Sequence, residues 1–115
     1  MTQAFTADNL FSLFEELKAF SKETPQGGIT RLAYTDLDEQ AHKFLMDKLT
    51  ARGLIIRQDK IGNVYATLPG SDSSLGAIAT GSHVDTVPSG GAFDGAPAVL
   101  AGIYALLQFA PKQLK

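Results

Sequence analysis

The chain contains no cysteine, and this absence excludes disulfide bonds and thiolate metal ligands. Any metal site must therefore be built from histidine and carboxylate side chains. A strong charge of either sign is also missing, because ten basic and twelve acidic residues give a formal net charge of −2. Such a charge offers no electrostatic footprint for nucleic acid or for an anionic membrane surface.

A long uninterrupted apolar run is absent as well. The most weakly charged stretch, residues 77–110, is broken by glycines, prolines and two aspartates, so it does not predict a membrane span. The first five residues lack a basic segment followed by an apolar run, which argues against a signal peptide. We therefore expect a cytoplasmic protein without nucleic-acid or membrane partners.

What the chain does contain is typical of one globular domain: 115 residues, 44% hydrophobic and 19% charged. The apolar spacing predicts a helix over residues 8–20 capped by Asp8, and a helix from Asp36 to Gly53 with an Asp36–Glu39 capping box. Strands are expected at residues 54–58, 63–68 and 77–80, and a last helix at 97–109. This order predicts an α/β layered domain with a mixed sheet, in which three strands leave one edge open.

The segment from Gly81 to Gly95 concentrates the chemistry. His83, Asp85 and Asp94 are, with Tyr104, the ionisable side chains between Ser73 and Pro111. His83 and Asp85 are two residues apart, so they project to the same side of an extended chain. Placing them beside a buried strand costs free energy unless they are paired or bind a metal. Two simpler interpretations stay open: Asp94 caps the last helix, or His83 and Asp85 form a local hydrogen-bonded pair.

The sequence of this segment, GSHVDTVPSGGAFDG, closely resembles the metal-binding signature of the allantoate amidohydrolase and N-carbamoyl-amino-acid hydrolase group. That group belongs to the dinuclear zinc aminoacylase and carboxypeptidase family. The resemblance extends to Gly27–Leu32 (GGITRL) and to Gly53-Leu54 followed by Asp59, Gly62 and Asn63. The compact Gly-Gly-Ala-Phe-Asp-Gly element resembles the carbamoyl branch, whereas the peptidase-like branches carry a Trp-containing insert.

The resemblance implies a role for each residue of the motif. His83 would ligate one metal, Asp94 would bridge two divalent ions (zinc or manganese), and Asp85 would serve catalysis by orienting His83. It also implies a three-layer catalytic domain, of which residues 1–115 are the N-terminal portion, and a homodimer. The implied substrates are small amides or ureido compounds: N-carbamoyl amino acids, allantoate or ureidoglycolate.

The chain also departs from the family pattern. The family's Glu-Glu pair, which holds the general base, and its remaining ligands lie beyond this motif, so we expect no turnover by the 115 residues alone. Ala98 stands where the family has glycine, and its methyl group is expected to pack against the sheet and shift Asp94. Two other functions stay open: a non-catalytic remnant or interaction module, and a metallohydrolase of the aminoacylase or peptidase branch.

Several polar residues are expected to have no catalytic part. His42 is interpreted as a solvated surface histidine and Arg31 as a loop residue with a surface contact. Asp59, Gly62 and Asn63 are typical of a tight turn.

Overall fold

The computed structural model describes residues 4–109. In chain order, its elements are α1 (Ala7–Lys18), β1 (Lys22–Glu23), β2 (Ile29–Thr30), α2 (Asp36–Ala51), β3 (Ile55–Gln58), β4 (Val64–Thr67) and α3 (Ala96–Phe109). Strands β1 and β2 form one antiparallel hairpin, and β3 and β4 form another. Helices and strands thus mix as predicted, but within residues 4–109 the pairing is antiparallel and no mixed sheet is formed.

Helix α1 begins at Ala7, one residue before the predicted start, because Thr6 rather than Asp8 is its N-cap. The Asn9 amide N–H donates to the Thr6 hydroxyl at 3.3 Å, and the Thr6 amide N–H donates to Asn9 Oδ1 at 2.8 Å. This reciprocal capping box satisfies two of the amides that a helix start leaves unpaired. The prediction that Asp8 caps the helix is wrong; it lies in the first turn, where its charge favours the helix dipole.

Helix α2 begins at Asp36 as predicted, but the expected Asp36–Glu39 capping box does not form. The N-cap is Thr35, whose hydroxyl donates to the Leu32 carbonyl at 2.6 Å instead of capping the helix. The chain leaves the helix at Gly53, whose φ of +85° is a left-handed conformation that glycine adopts without strain.

The core lies among the three helices. Helices α1 and α3 pack against each other, and α2 packs against the β3–β4 hairpin. Leu54 and Val84 join the helical side chains in this core, so the chemistry-bearing segment is anchored to it through Val84. The buried helical residues are Leu13, Phe14, Leu17, Ala41, Leu45, Leu49, Ala96, Leu100, Ile103 and Leu107.

The strand predicted at residues 77–80 is not formed. This segment pairs with no other strand of residues 4–109, and the Ile78 side chain is fully exposed. A β-strand is stabilised by hydrogen bonds to neighbouring strands, and both two-stranded sheets pair internally. The segment nevertheless runs beside α3, because a Cβ placed on Gly102 would lie 3.1 Å from Thr80 Cγ2. No helix within residues 4–109 is long and apolar enough to cross a bilayer.

Candidate metal centre

The backbone of residues 83–87 alternates between the core and the solvent. Val84 and Thr86 are 5% and 6% exposed, whereas His83 is exposed and Asp85 is half-buried. This alternation is the two-residue period of an extended chain. Since the apolar and hydroxyl side chains point inward, the imidazole of His83 and the carboxylate of Asp85 share the outer face.

The His83 ring lies between two carboxylates on this face, those of Asp85 and Asp94. His83 Nδ1 lies 3.1 Å from Asp85 Oδ1 and 3.0 Å from the Asp85 carbonyl oxygen, so it can donate its proton to Asp85. His83 Nε2 lies 4.0 Å from Asp94 Oδ1. Metal–nitrogen and metal–oxygen bonds are each about 2.0–2.2 Å long, so one ion between these two atoms could contact both. His83 and Asp85 lie on one side of the chain, as their spacing predicted. The metal-binding roles of His83 and Asp94 and the orienting role of Asp85 stay predictions.

The donor set of this cluster fits a divalent cation. An imidazole nitrogen and a carboxylate oxygen are ordinary ligands of zinc and manganese, and both side chains are accessible, with 52% and 70% of their surface exposed. Within residues 4–109, no group of three or more histidine, aspartate or glutamate side chains is arranged to hold one metal ion. The described residues thus offer two candidate ligands, His83 and Asp94, and Asp85 contacts the other ring nitrogen of His83, Nδ1.

The start of α3 positions Asp94 without using it as a cap. The amides of Ala98 and Val99 donate to the Gly95 carbonyl oxygen, and the Asp94 carboxylate accepts no bond from this first turn in residues 4–109. The simpler interpretation of Asp94 as a helix cap is therefore not what the structure shows. Ala98 is exposed, so within residues 4–109 its methyl group does not pack inward against a sheet.

Gly95 brings the α3 start into direct contact with His83. Its φ is +73°, and a Cβ on this residue would lie 2.4 Å from His83 Cε1 and 2.6 Å from Nδ1. Both the backbone conformation and the missing side chain are required for the imidazole to lie where it does. The glycine after Asp94 is thus part of how the site is built.

The β1–β2 hairpin holds the other end of the loop. Ile29 and Gly90 exchange two backbone hydrogen bonds, of 3.0 and 2.8 Å, and the Ser89 amide donates to Thr30 Oγ1 at 2.9 Å. Gly28 faces the loop so closely that a Cβ there would lie 2.5 Å from the Ser89 carbonyl oxygen. The early glycine-rich element and the metal-binding motif are therefore one packed unit.

The prediction that Arg31 makes a surface contact is wrong. Instead of a surface contact, its side chain is 1% exposed and lies under the loop, where its Nε donates to the Val84 carbonyl at 2.8 Å. Burial lowers the pKa of Arg31, and the nearby Asp38 and Asp85 carboxylates oppose that shift. A signal was available: Arg31 is two residues from the apolar Ile29, which is also buried, so the two-residue period places both on one face.

The remaining polar residues are structural. His42 is half-buried rather than fully solvated, and its Nδ1 lies 2.8 Å from the Asp38 carbonyl oxygen. Asp59 closes the β3–β4 turn, as predicted. The Asn63 side-chain amide, with the backbone amides of Asn63 and Ile61, hydrogen-bonds its carboxylate and holds the pKa of Asp59 below its ordinary value.

Known proteins resemble this chain along most of its length. Ureidoglycolate hydrolase of Oryza sativa subsp. japonica is 40% identical over 100 residues, which cover 87% of this chain and 20% of that protein. Allantoate amidohydrolase of Bacillus subtilis is 39% identical over 106 residues, covering 92% and 26%. N-carbamoyl-L-amino-acid amidohydrolase of Paenarthrobacter aurescens is 39% identical over 103 residues, covering 90% and 24%. The chain is a homologue of this amidohydrolase group. No protein-family profile matches it.

Solved structures agree with this relationship. A hydantoinase/carbamoylase family amidase from Burkholderia ambifaria superposes on this chain with a TM-score of 0.84 at 30% identity, covering 94% of this chain and 26% of that one. The crystal structure of AtUAH in complex with (S)-hydroxyglycine gives 0.80 at 32% identity, covering 96% and 26%. This chain thus spans between a fifth and about a quarter of the length of these proteins.

Proposed function

We propose that this chain supplies His83 and Asp94 to the two-metal centre of an amidohydrolase that cleaves linear amide or ureido bonds. The proposed substrates are of the N-carbamoyl amino acid, allantoate or ureidoglycolate type. The observation that carries the proposal is the 4.0 Å separation of His83 Nε2 and Asp94 Oδ1, with His83 Nδ1 engaged by Asp85. This leaves Nε2, the nitrogen on the Asp94 side, available for a metal.

Asp85 and Asp94 have different proposed roles, which follow from their side-chain chemistry. Asp85 accepts the proton of His83 Nδ1, which keeps the ring in one tautomer and makes Nε2 a better electron donor. Asp94 offers two carboxylate oxygens, as a bridging ligand requires. Two zinc or manganese ions, when bound, would polarise the substrate carbonyl and lower the pKa of a bound water.

In the family that the motif resembles, the general base is a glutamate of a Glu-Glu pair, and residues 40–115 contain no glutamate. We propose that this base, which would accept the water's proton, is supplied by chain that follows residue 115. We further propose that residues 1–115 are the N-terminal portion of a catalytic domain. In it, further strands complete a three-layer sandwich with a mixed sheet, and the whole protein is a cytoplasmic homodimer.

A chimera tests this function directly. Residues 1–115 would replace the matching region of the Bacillus subtilis allantoate amidohydrolase, which is 39% identical. Hydrolysis of allantoate and of N-carbamoyl amino acids would be assayed with added zinc or manganese. We expect the chimera to turn over one of these substrates and the Asp94→Ala chimera to be inactive, because the variant loses the ligand shared by both metals.

We expect Asp85→Ala to weaken metal affinity by about 10–100-fold, since it acts through His83.

His42→Ala in the same chimera is the control, because His42 is a histidine bonded within α2 rather than in the loop. We expect it to keep its metal content and turnover. A folded chimera that is inactive with both metals would contradict the proposal and favour the non-catalytic alternative. Near-normal rates for Asp94→Ala would contradict the role assigned to that residue.

A further inference from the structure

The guanidinium of Arg31 joins the end of α1 to the loop that carries His83 and Asp85. Its Nε donates to the Val84 carbonyl at 2.8 Å, and its Nη1 donates to the carbonyls of Leu17 and Phe20 at 3.2 and 3.3 Å. A guanidinium is planar and stays charged, so its donors have fixed directions. The Val84 carbonyl is thereby held at a set position relative to the carbonyls of Leu17, in α1, and of Phe20, just after it.

The backbone of Arg31 anchors the same loop a second time. The Thr86 amide donates to the Arg31 carbonyl at 2.7 Å, and the Arg31 amide donates to Thr86 Oγ1 at 2.9 Å. Residues 84 and 86 are thus both fixed from the inner face by one residue. Asp85 lies between them and His83 directly before them, so their outward direction follows from these anchors.

Burying this charge is costly, which argues that the contacts it makes matter. A buried guanidinium loses its hydration and is tolerated where carbonyls and carboxylates replace that hydration. Here three carbonyl oxygens accept from it, and the charges of Asp38 and Asp85 favour its protonated form. Asp85 is itself the partner of His83, so Arg31 also acts electrostatically on the pair.

We propose that Arg31 is a positioning residue of the metal centre, which sets the orientation of the His83 imidazole by clamping the Val84 and Thr86 backbone. Arg31 does not itself touch metal or substrate. The relevance of the clamp to metal binding rests on the proposed function, but the clamp can be tested without a metal.

The test uses the 115-residue chain and nuclear magnetic resonance. Long-range proton–nitrogen spectra report which ring nitrogen of His83 carries the proton, and hydrogen exchange reports how often the Thr86 amide opens. We expect wild type to hold the Nδ1–H tautomer. Arg31→Lys, which keeps the charge but not the fork of donors, should give mixed tautomers and raise Thr86 exchange about tenfold or more. If Arg31→Lys does not fold, Thr86→Val removes the hydroxyl acceptor at nearly constant shape and is expected to act in the same direction.

Leu49→Ala is the matched control, because it removes buried core volume on α2, outside the loop. It should lower the unfolding midpoint yet leave the His83 tautomer as in wild type. Unchanged His83 spectra in folded Arg31→Lys and Thr86→Val, or an equal change in Leu49→Ala, would overturn the inference. The chimera's turnover decides the proposed function separately, so either proposal can fail while the other stands.

Discussion

Single residues control the candidate centre through very short distances. Gly95 lies against Cε1 and Nδ1 of the His83 ring, and the Asp85 carboxylate contacts Nδ1 from another direction. Because each contact involves a few atoms, one added methyl group or one removed carboxylate is enough to change the direction of Nε2. Predictions at this scale therefore concern individual atoms.

Gly95→Ala is expected to displace the His83 ring. The new Cβ would lie 2.4 Å from Cε1, and the backbone φ of +73° would strain any side chain. We expect a loss of about 1–3 kcal/mol in the free energy of unfolding and a His83 spectrum without the Nδ1–Asp85 signature. Gly91→Ala is the control, since a Cβ there meets nothing within 4 Å. Equal stability and identical His83 spectra for the two variants would contradict this expectation.

The Asp59 turn gives a prediction about pH. Hydrogen bonds from Asn63 and Ile61 favour the charged carboxylate, so its folded-state pKa is below the ordinary 3.8. Its stabilisation of the turn is therefore fully present above that ordinary value and is lost as the pH falls through the lowered pKa. We expect the Asn63 side-chain resonances to titrate with a midpoint below 3.8, and Asn63→Ala to move the Asp59 midpoint upward. A midpoint that Asn63→Ala leaves unchanged would show that these bonds do not hold the charge.

At the scale of elements, the β1–β2 hairpin, whose strands are two residues long, holds the metal-binding loop in place. Strands β1 and β2 pair through Lys22–Thr30 and Glu23–Ile29, and the Ile29–Gly90 pair continues this ladder into the loop. A hairpin this short is marginal alone, so loop and hairpin stabilise each other. Gly28 is the position where the two come closest.

Gly28→Ala is expected to separate the hairpin from the loop. A Cβ there would lie 2.5–2.7 Å from three backbone atoms of Ser89, which cannot rotate away as a side chain would. Overpacking of this kind costs about 1–3 kcal/mol. We expect faster hydrogen exchange at the Gly90 and Thr86 amides. Gly76→Ala, where a Cβ meets nothing within 4 Å, should leave both amides unchanged; protection of Gly90 in Gly28→Ala would contradict the packing described.

At the scale of the whole molecule, the chain exposes more surface than a compact monomer. Its accessible area is 7970 Å² and its radius of gyration is 15.0 Å, with extents of 49 × 33 × 19 Å. A compact protein of this size would expose about 6,100 Å² with a radius near 13 Å. Large apolar side chains, including Phe11, Ile78 and Phe93, account for part of the excess. An apolar depression of about 240 Å³ lies between α1 and α3, beside Phe93.

We expect the isolated chain to self-associate because of this exposed surface. The segment around Ile78 is apolar, exposed and unpaired within residues 4–109. An exposed apolar segment with unpaired backbone groups can recruit a partner chain. Sedimentation velocity should show concentration-dependent association, and Ile78→Lys should reduce it. Ile61→Lys makes the same change at an exposed turn and should have less effect. A monodisperse monomer with a sharp, high-temperature unfolding transition would contradict the prediction.

The sequence by itself determined the local features of this protein. Apolar spacing located all three helices and the β3–β4 hairpin, and a two-residue period placed His83 and Asp85 on one side. The GSHVDTVPSGGAFDG motif carried the relationship to amidohydrolases that the known proteins confirm. These inferences succeed because each depends on residues near one another in the chain, where spacing and conformation are directly linked.

Only the tertiary structure decided contacts between distant residues. It showed that Arg31 is buried beneath Val84, 53 positions away, and that Gly28 meets Ser89. It also showed that residues 77–80 have no strand partner within residues 4–109, although their composition favours a buried strand. A strand needs neighbours and a buried charge needs acceptors, and both come from parts of the chain that local spacing does not connect.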